Sequence, residues 1–174
     1  ADYFPQAKIV VYCGILGICL PLARGMGRCA GKQHQEVLRT MQCTEKYFEA
    51  DAFRTRAESV LLAAVPDSRT GGGLIALEGT VFYPEGGGQP ADRGTLTLPD
   101  GTELAVTDVH EQDGILWHSV PSLPDTAVPG ITVEEAIDWD WRFDKMQQHT
   151  GEHILSGILH QMFGAENVGF HIGA

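Results

Sequence analysis

The chain has 174 residues, enough for one domain of ordinary size or two small ones, and for a core that needs no disulfide staples. Its 12 Lys+Arg against 23 Asp+Glu leave a net charge of -11, which excludes a basic nucleic-acid arm and a polybasic membrane anchor. A hydrophobic content of 43% with 20% charged residues excludes wholesale disorder, and 21 Gly predict many turns.

The first forty residues differ in kind from the rest. They carry five basic and two acidic side chains, net +3, whereas residues 41–174 carry seven basic and 21 acidic ones, net -14. Cys13, Cys19 and Cys29 fall in this segment and Cys43 just beyond it, at spacings that match neither a zinc ribbon nor a CxxC redox pair. Reduced thiols are the expectation. The uncharged run from Ile9 to Ala23 is fifteen residues long, short of the about 20 that a membrane span needs. It has the length of a signal h-region, yet no small-x-small cleavage site follows. A non-essential extension is the favoured reading of residues 1–40.

Beyond it, apolar segments at 52–65 and 74–83 flank the turn-forming stretch PDSRTGGG. Short strand-like runs follow at 94–98, 102–109, 114–120 and 131–137, separated by Pro99-Asp100-Gly101, by Asp113-Gly114 and by the proline-containing stretch 121–130. Short strands at this spacing predict an all-β barrel or sandwich rather than βαβ units. After Trp139 the period becomes helical, from about Asp140 to Phe163, with Ile154, Ile158 and Met162 on one stripe and Leu155 and Leu159 beside it. Asp140 or Asp144 is the expected cap, and Gly164 stands where a C′ glycine should. NVGFHI then reads as the start of another strand.

On that helix His149 and His153 stand at i and i+4, about 6 Å apart on one face, close enough for both imidazoles to reach one ion. A borderline metal such as zinc suits imidazole, but HxxxH alone permits a metal without demanding one. His160 falls near the same face, about 10 Å further on, as a surface or supporting group. His110, His118 and His171 are isolated and read as strand or loop polar residues. Glu152 completes an H-x-x-E-H pentapeptide, the inverted zinc-protease pattern in which the glutamate is general base. It reads equally as a solvated residue or as an orienter of a neighbouring histidine.

The second constellation is Phe82 to Pro90, FYPEGGGQP, followed by Asp92 and Gly94. Gly86, Gly87 and Gly88 remove every Cβ, so a ligand or another backbone can approach, and Gln89 is the polar head on this bare loop. It is no P-loop, lacking GK[ST] and opening no helix. Alone it reads as a tight turn between strands.

Together, T-x-F-Y-P-E-G-G-G-Q-P-x-D-x-G (Thr80 to Gly94) and R-F-D-x-M-Q-Q-H-T-G-E-H-I-L-S (Arg142 to Ser156) resemble the editing domain of alanyl-tRNA synthetase, and more closely the free-standing AlaX-type alanyl-tRNA editing proteins. Asn167 to His171 continues the likeness, which covers about residues 41–174 and leaves Met41 as the expected natural start. The resemblance implies an α+β fold: a translation-protein-like β-barrel at 41–137 carrying the GGGQP loop, then the first part of an α/β editing domain at 138–174, of the threonyl/alanyl-tRNA synthetase type. It implies a zinc-dependent aminoacyl-tRNA deacylase that hydrolyses Ser-tRNA(Ala), and Gly-tRNA(Ala) as a further substrate. A pocket built for alanine rejects serine poorly, because serine adds only a hydroxyl.

By the same resemblance His149 and His153 hold the zinc and Gln89, presented by Gly86 to Gly88, sits near the amino acid and the terminal adenosine. Thr80 is the candidate for reading the serine hydroxyl, and Glu152 joins Gln89 and Thr80 as a catalytic candidate. The partner is the acceptor end of mischarged tRNA(Ala), with no membrane and no stable protein partner, in the cytoplasm. The family's remaining zinc ligands, a Cys-x-x-x-His pair, are expected beyond residue 174, so a C-terminally truncated chain, inactive alone, is the expectation. An inverted-motif zinc metalloprotease and a non-catalytic β-barrel binding module are the alternatives; the first leaves the GGGQP loop without a purpose.

Overall fold

The computed structural model describes residues 43–172 in full and 8–13 as backbone. Most of the apolar run at 9–23, and Cys19 and Cys29, lie outside the described residues. Strands β1 (Lys8–Cys13) and β2 (Glu45–Lys46) precede the short helix α1 (Tyr47–Ala50). Then come β3 (Arg56–Pro66), β4 (Gly73–Leu77), β5 (Gly79–Thr80), β6 (Gly94–Thr97), β7 (Glu103–Val106), β8 (Asp108–Gln112), β9 (Ile115–Val120) and β10 (Thr132–Ile137). The long helix α2 (Trp139–Phe163) and strand β11 (Glu166–Ile172) follow.

Seven strands form one antiparallel sheet in the order β7-β6-β10-β3-β4-β9-β8. Its two edge strands are consecutive in the chain, because the run expected at 102–109 breaks at Thr107. That residue's N–H donates to the Ser119 carbonyl on β9 at 3.0 Å. The sheet therefore nearly closes on itself as a barrel, which leaves little free edge. β2 and β5 form a separate parallel pair, and β1 runs parallel along β11.

The strand periodicity works as the alternation requires. Val133, Glu135 and Ile137 of β10 point inward, while Thr132 and Glu134 face solvent. β4 is buried on both faces: Ile75 and Leu77 join the main core with Leu61, Val81, Phe82, Leu96 and Leu116, and Leu74 and Ala76 join a second cluster around Ile115 and Trp117. Phe82, at the base of the glycine loop, is fully enclosed.

Helix α2 starts one residue before the expected Asp140. Its cap is Asp138, whose carboxylate accepts from the Trp141 N–H at 3.1 Å; neither Asp140 nor Asp144 caps it. Asp138 directly follows the strand run 131–137, ahead of both expected caps. The helix ends as expected, at Gly164 in the left-handed region with φ 63°.

Candidate functional site

The glycine loop is built on a two-residue reversal. Gly86 and Gln89 exchange N–H···O=C bonds of 3.1 and 3.0 Å, and Gly87 and Gly88 at the tip have φ of 59° and 80°. Positive φ at both central residues is what a type I′ turn demands, and glycine takes it without strain. Gly88 has a further reason to lack a side chain, since a Cβ there would strike the Phe170 carbonyl of β11. The Ile172 N–H donates to the Gly88 carbonyl at 2.9 Å, so β11 seats directly on the turn.

The turn aims Gln89 at the helix. Its Oε1 lies 3.0 Å from His149 Nδ1, and Gln89 is only 6% exposed. An amide oxygen only accepts, so His149 carries its proton on Nδ1 and turns the Nε2 lone pair outward. That Nε2 is 3.0 Å from His153 Nε2, with the rings stacked at 22°. Two zinc-bound nitrogens at about 2.0–2.1 Å in a tetrahedron would stand about 3.3 Å apart, so the pair opens onto one ion with a slight spread. The donor set fits two zinc ligands, one of them oriented through its other nitrogen as metal-binding imidazoles commonly are. Among the described residues no third His, Cys, Asp or Glu joins them.

Glu152 is buried on the same helix. Its carboxylate accepts from Ser156 Oγ and from Asn167 Nδ2 on β11, while Oε2 has no hydrogen-bond partner and lies 3.8 Å from His153 Nδ1. His160 stands apart from the pair, with Nδ1 3.3 Å from the Ala165 carbonyl and 3.6 Å from Glu166.

Thr80 is placed elsewhere, inside the barrel mouth and with no exposed surface. Its hydroxyl lies 2.5 Å from Glu135 Oε2 and 2.9 Å from His118 Nε2, and it accepts from the Phe82 N–H at 3.1 Å. His118 Nδ1 is 3.0 Å from the Ile75 carbonyl and so donates to it, leaving Nε2 in need of a donor. The Thr80 hydroxyl donates to Glu135 Oε2, which also accepts the Val81 N–H at 3.2 Å; when the carboxyl is protonated it donates to Thr80 instead, and Thr80 donates to His118. Burial drives this state, pushing Glu135 up to about 7 and His118 down to about 4. A neutral carboxyl also lowers the cost of leaving Glu135 Oε1 without a partner. His118 is thus no isolated strand residue, and Glu135 escaped notice altogether. A glutamate on the inward phase of ITVEEAI, flanked by Val133 and Ile137, was the available signal.

The chain belongs to the family of tRNA synthetases, class II (A), whose family model matches residues 30–141, beginning before Met41 and stopping before His149. Within that family its relatives include alanyl-tRNA editing proteins and alanine–tRNA ligases. It is 38% identical over 125 residues to the alanyl-tRNA editing protein AlaX-M of Pyrococcus horikoshii, covering 71% of this chain and 52% of that protein. It is 41% identical over 98 residues to AlaX-L of the same organism, covering 56% of this chain and 24% of the relative. A putative alanyl-tRNA editing protein alaX of Saccharomyces cerevisiae is 34% identical over 137 residues, covering 76% and 30%. The chain therefore spans about half the length of these relatives or less. Among the described residues no helix is long and apolar enough to cross a membrane.

Proposed function

We propose that this chain takes part in hydrolytic editing of mischarged tRNA(Ala), cleaving the ester of Ser-tRNA(Ala), and of Gly-tRNA(Ala), at a zinc-containing site. The observation that carries the reading is the meeting of Gln89 and His149: a glycine turn from the barrel fixes the tautomer of an imidazole whose Nε2 lies 3.0 Å from His153 Nε2. The named relatives are alanyl-tRNA editing proteins, which supports the same substrate class.

Zinc, held by His149 and His153 with further ligands to complete its shell, would supply Lewis acidity at the scissile ester or at a water. The chain's own residues do the rest. Gln89 orients His149 through Nδ1. Gly86 to Gly88 offer backbone without side chains, so the aminoacyl end can lie against the turn. Glu152, the remaining catalytic candidate, lies behind His153 with Oε2 3.8 Å from that ring's Nδ1 and no hydrogen bond of its own. Thr80 works from beneath the loop, holding the Phe82 N–H while bound to Glu135 and His118. Only the acylated acceptor end needs to reach this site, so a strongly acidic chain is compatible with tRNA.

The test is hydrolysis of Ser-tRNA(Ala) and Gly-tRNA(Ala) against Ala-tRNA(Ala), with zinc present. With its zinc shell completed by the further ligands, the protein should cleave the mischarged esters in preference to the correct one. Gln89→Ala and His153→Ala should each reduce that cleavage by about 10–100-fold or more while the fold is kept. Equal rates for all three proteins, or cleavage of a peptide abolished by Glu152→Gln, would end the editing reading.

A further inference from the structure

A buried charged pair at the root of helix α2 plays no part in the chemistry above, yet it touches both halves of the site. Arg142 Nε donates to both carboxylate oxygens of Asp92 at 2.8 Å, and Arg142 Nη2 closes a further bond to Asp92 Oδ2. The same guanidinium donates to the Val81 carbonyl at 2.6 Å and to the Ala52 carbonyl at 2.9 Å. Arg142 is 3% exposed and Asp92 1%. Asp92 also takes the Tyr83 N–H at 2.7 Å and returns its own N–H to the Tyr83 carbonyl at 2.9 Å. That exchange is the neck of the loop whose tip is the Gly87-Gly88 turn.

Arg142 therefore grips the neck of the loop, and His149 follows it by seven residues, two turns and about 10 Å along the same helix face. Two neighbours reinforce the grip: Trp141 Nε1 donates to the Ala91 carbonyl at 2.9 Å, and the Asp138 N–H to the Arg93 carbonyl at 2.7 Å. The fully buried residues of α2 are Arg142, Lys145 and Glu152, all polar. Apolar packing tolerates small slips between surfaces, whereas a planar guanidinium bonded to one carboxylate and two carbonyls allows one arrangement.

The geometry points to Arg142 and Asp92 as the positioning residues of the site. The pair sets helix α2 against the glycine loop, so that Gln89 Oε1 meets His149 Nδ1 and the two Nε2 atoms converge. The consequence for zinc rests on the metal reading above; the consequence for the His149 tautomer does not.

The test uses the whole 174-residue chain with Arg142→Lys, which keeps the charge but cannot make the fork. Nitrogen–proton correlations of the His149 ring are recorded without metal at about pH 8.5, above the ordinary imidazole range. The parent should show a single Nδ1–H tautomer. Arg142→Lys should show mixed tautomers and bind zinc about 10-fold more weakly, with the amide spectrum of the barrel unchanged. Asp92→Asn, which keeps one acceptor oxygen for the Tyr83 N–H but loses the charge and puts an NH2 donor where the second oxygen accepted from Arg142, should move both readouts the same way. An unchanged tautomer and zinc affinity in folded Arg142→Lys overturns the proposal. Unfolding of both variants does so too, giving the pair a role in stability alone. Two ligands of an incomplete shell hold zinc weakly, so where the parent's zinc affinity is too low to measure the tautomer alone decides the positioning role.

Discussion

The barrel and the long helix bury opposite kinds of residue. Inside the barrel, Leu61, Ile75, Leu77, Phe82, Leu96 and Leu116 have no exposed surface, and the Glu135–Thr80–His118 group is the polar insertion among them. On helix α2 the pattern inverts. Arg142, Lys145 and Glu152 are buried, whereas Ile154, Ile158 and Met162 are 60%, 47% and 66% exposed. The barrel is held by the hydrophobic effect, which is strong and non-directional. The helix packs Trp139 against the barrel core, and hydrogen bonds and charge, which are directional, fix the rest of its placement among the described residues. A ligand set that must hold two nitrogens to within a fraction of an ångström is better served by the second kind of contact, and the barrel supplies the rigid base.

The comparison breaks most visibly at Phe82. Phe82→Ala should destabilise the fold by about 3–5 kcal/mol, read as a lowered urea midpoint, because it empties a closed core. A cost below about 1 kcal/mol would mean that the barrel interior can collapse around the gap.

The polar insertion gives the next effect, and it hides in the parent. Glu135 is raised by burial to about 7 from its ordinary 4.5, so the stability tied to its protonated form is complete below 4.5 and lost as pH rises through about 7. His118 is lowered by burial to about 4 from 6.5, so the stability tied to its neutral form is complete above 6.5 and lost as pH falls through about 4. The two windows overlap with opposite sign, and the parent should be nearly flat between them. Glu135→Gln should uncover the histidine arm, with stability falling on acidification by an amount on the order of 3 kcal/mol. His118→Asn should uncover the carboxyl arm, with stability falling as pH rises across the Glu135 window. Denaturation midpoints across pH check this; two variants that follow the parent's flat profile would deny the pairing.

The smallest effect should come from the exposed stripe. Ile158→Ser exchanges residues of similar helix propensity on a solvent-facing position and should change stability by less than about 0.5 kcal/mol in thermal or urea unfolding. A loss of about 2 kcal/mol would show that something covers this face in solution.

Much of this was legible before any fold was known. Turn residues and the two-residue period marked β6, β9 and β10 within a residue or two. Gly164 marked the helix end, and the spacing of His149 and His153 put both on one face. What escaped was either too short or too dependent on neighbours. Helix α1 has only four residues. Asp138 caps the helix from the residue after a strand, and the break at Thr107 follows from barrel closure rather than from its own preference.

By itself, the sequence determined where strands, turns and helix run, and which two imidazoles share a face, because those properties depend on residues a few positions apart. The tertiary structure alone decided which groups meet. Gln89 finds His149 across 60 residues, Arg142 finds Asp92 across 50, and Glu135 finds Thr80 across 55. No local period encodes such pairings; they follow from the closing of the barrel and the docking of the helix on its glycine loop. Burial then raised an ordinary glutamate and lowered an ordinary histidine, because a low-dielectric interior disfavours their charged forms.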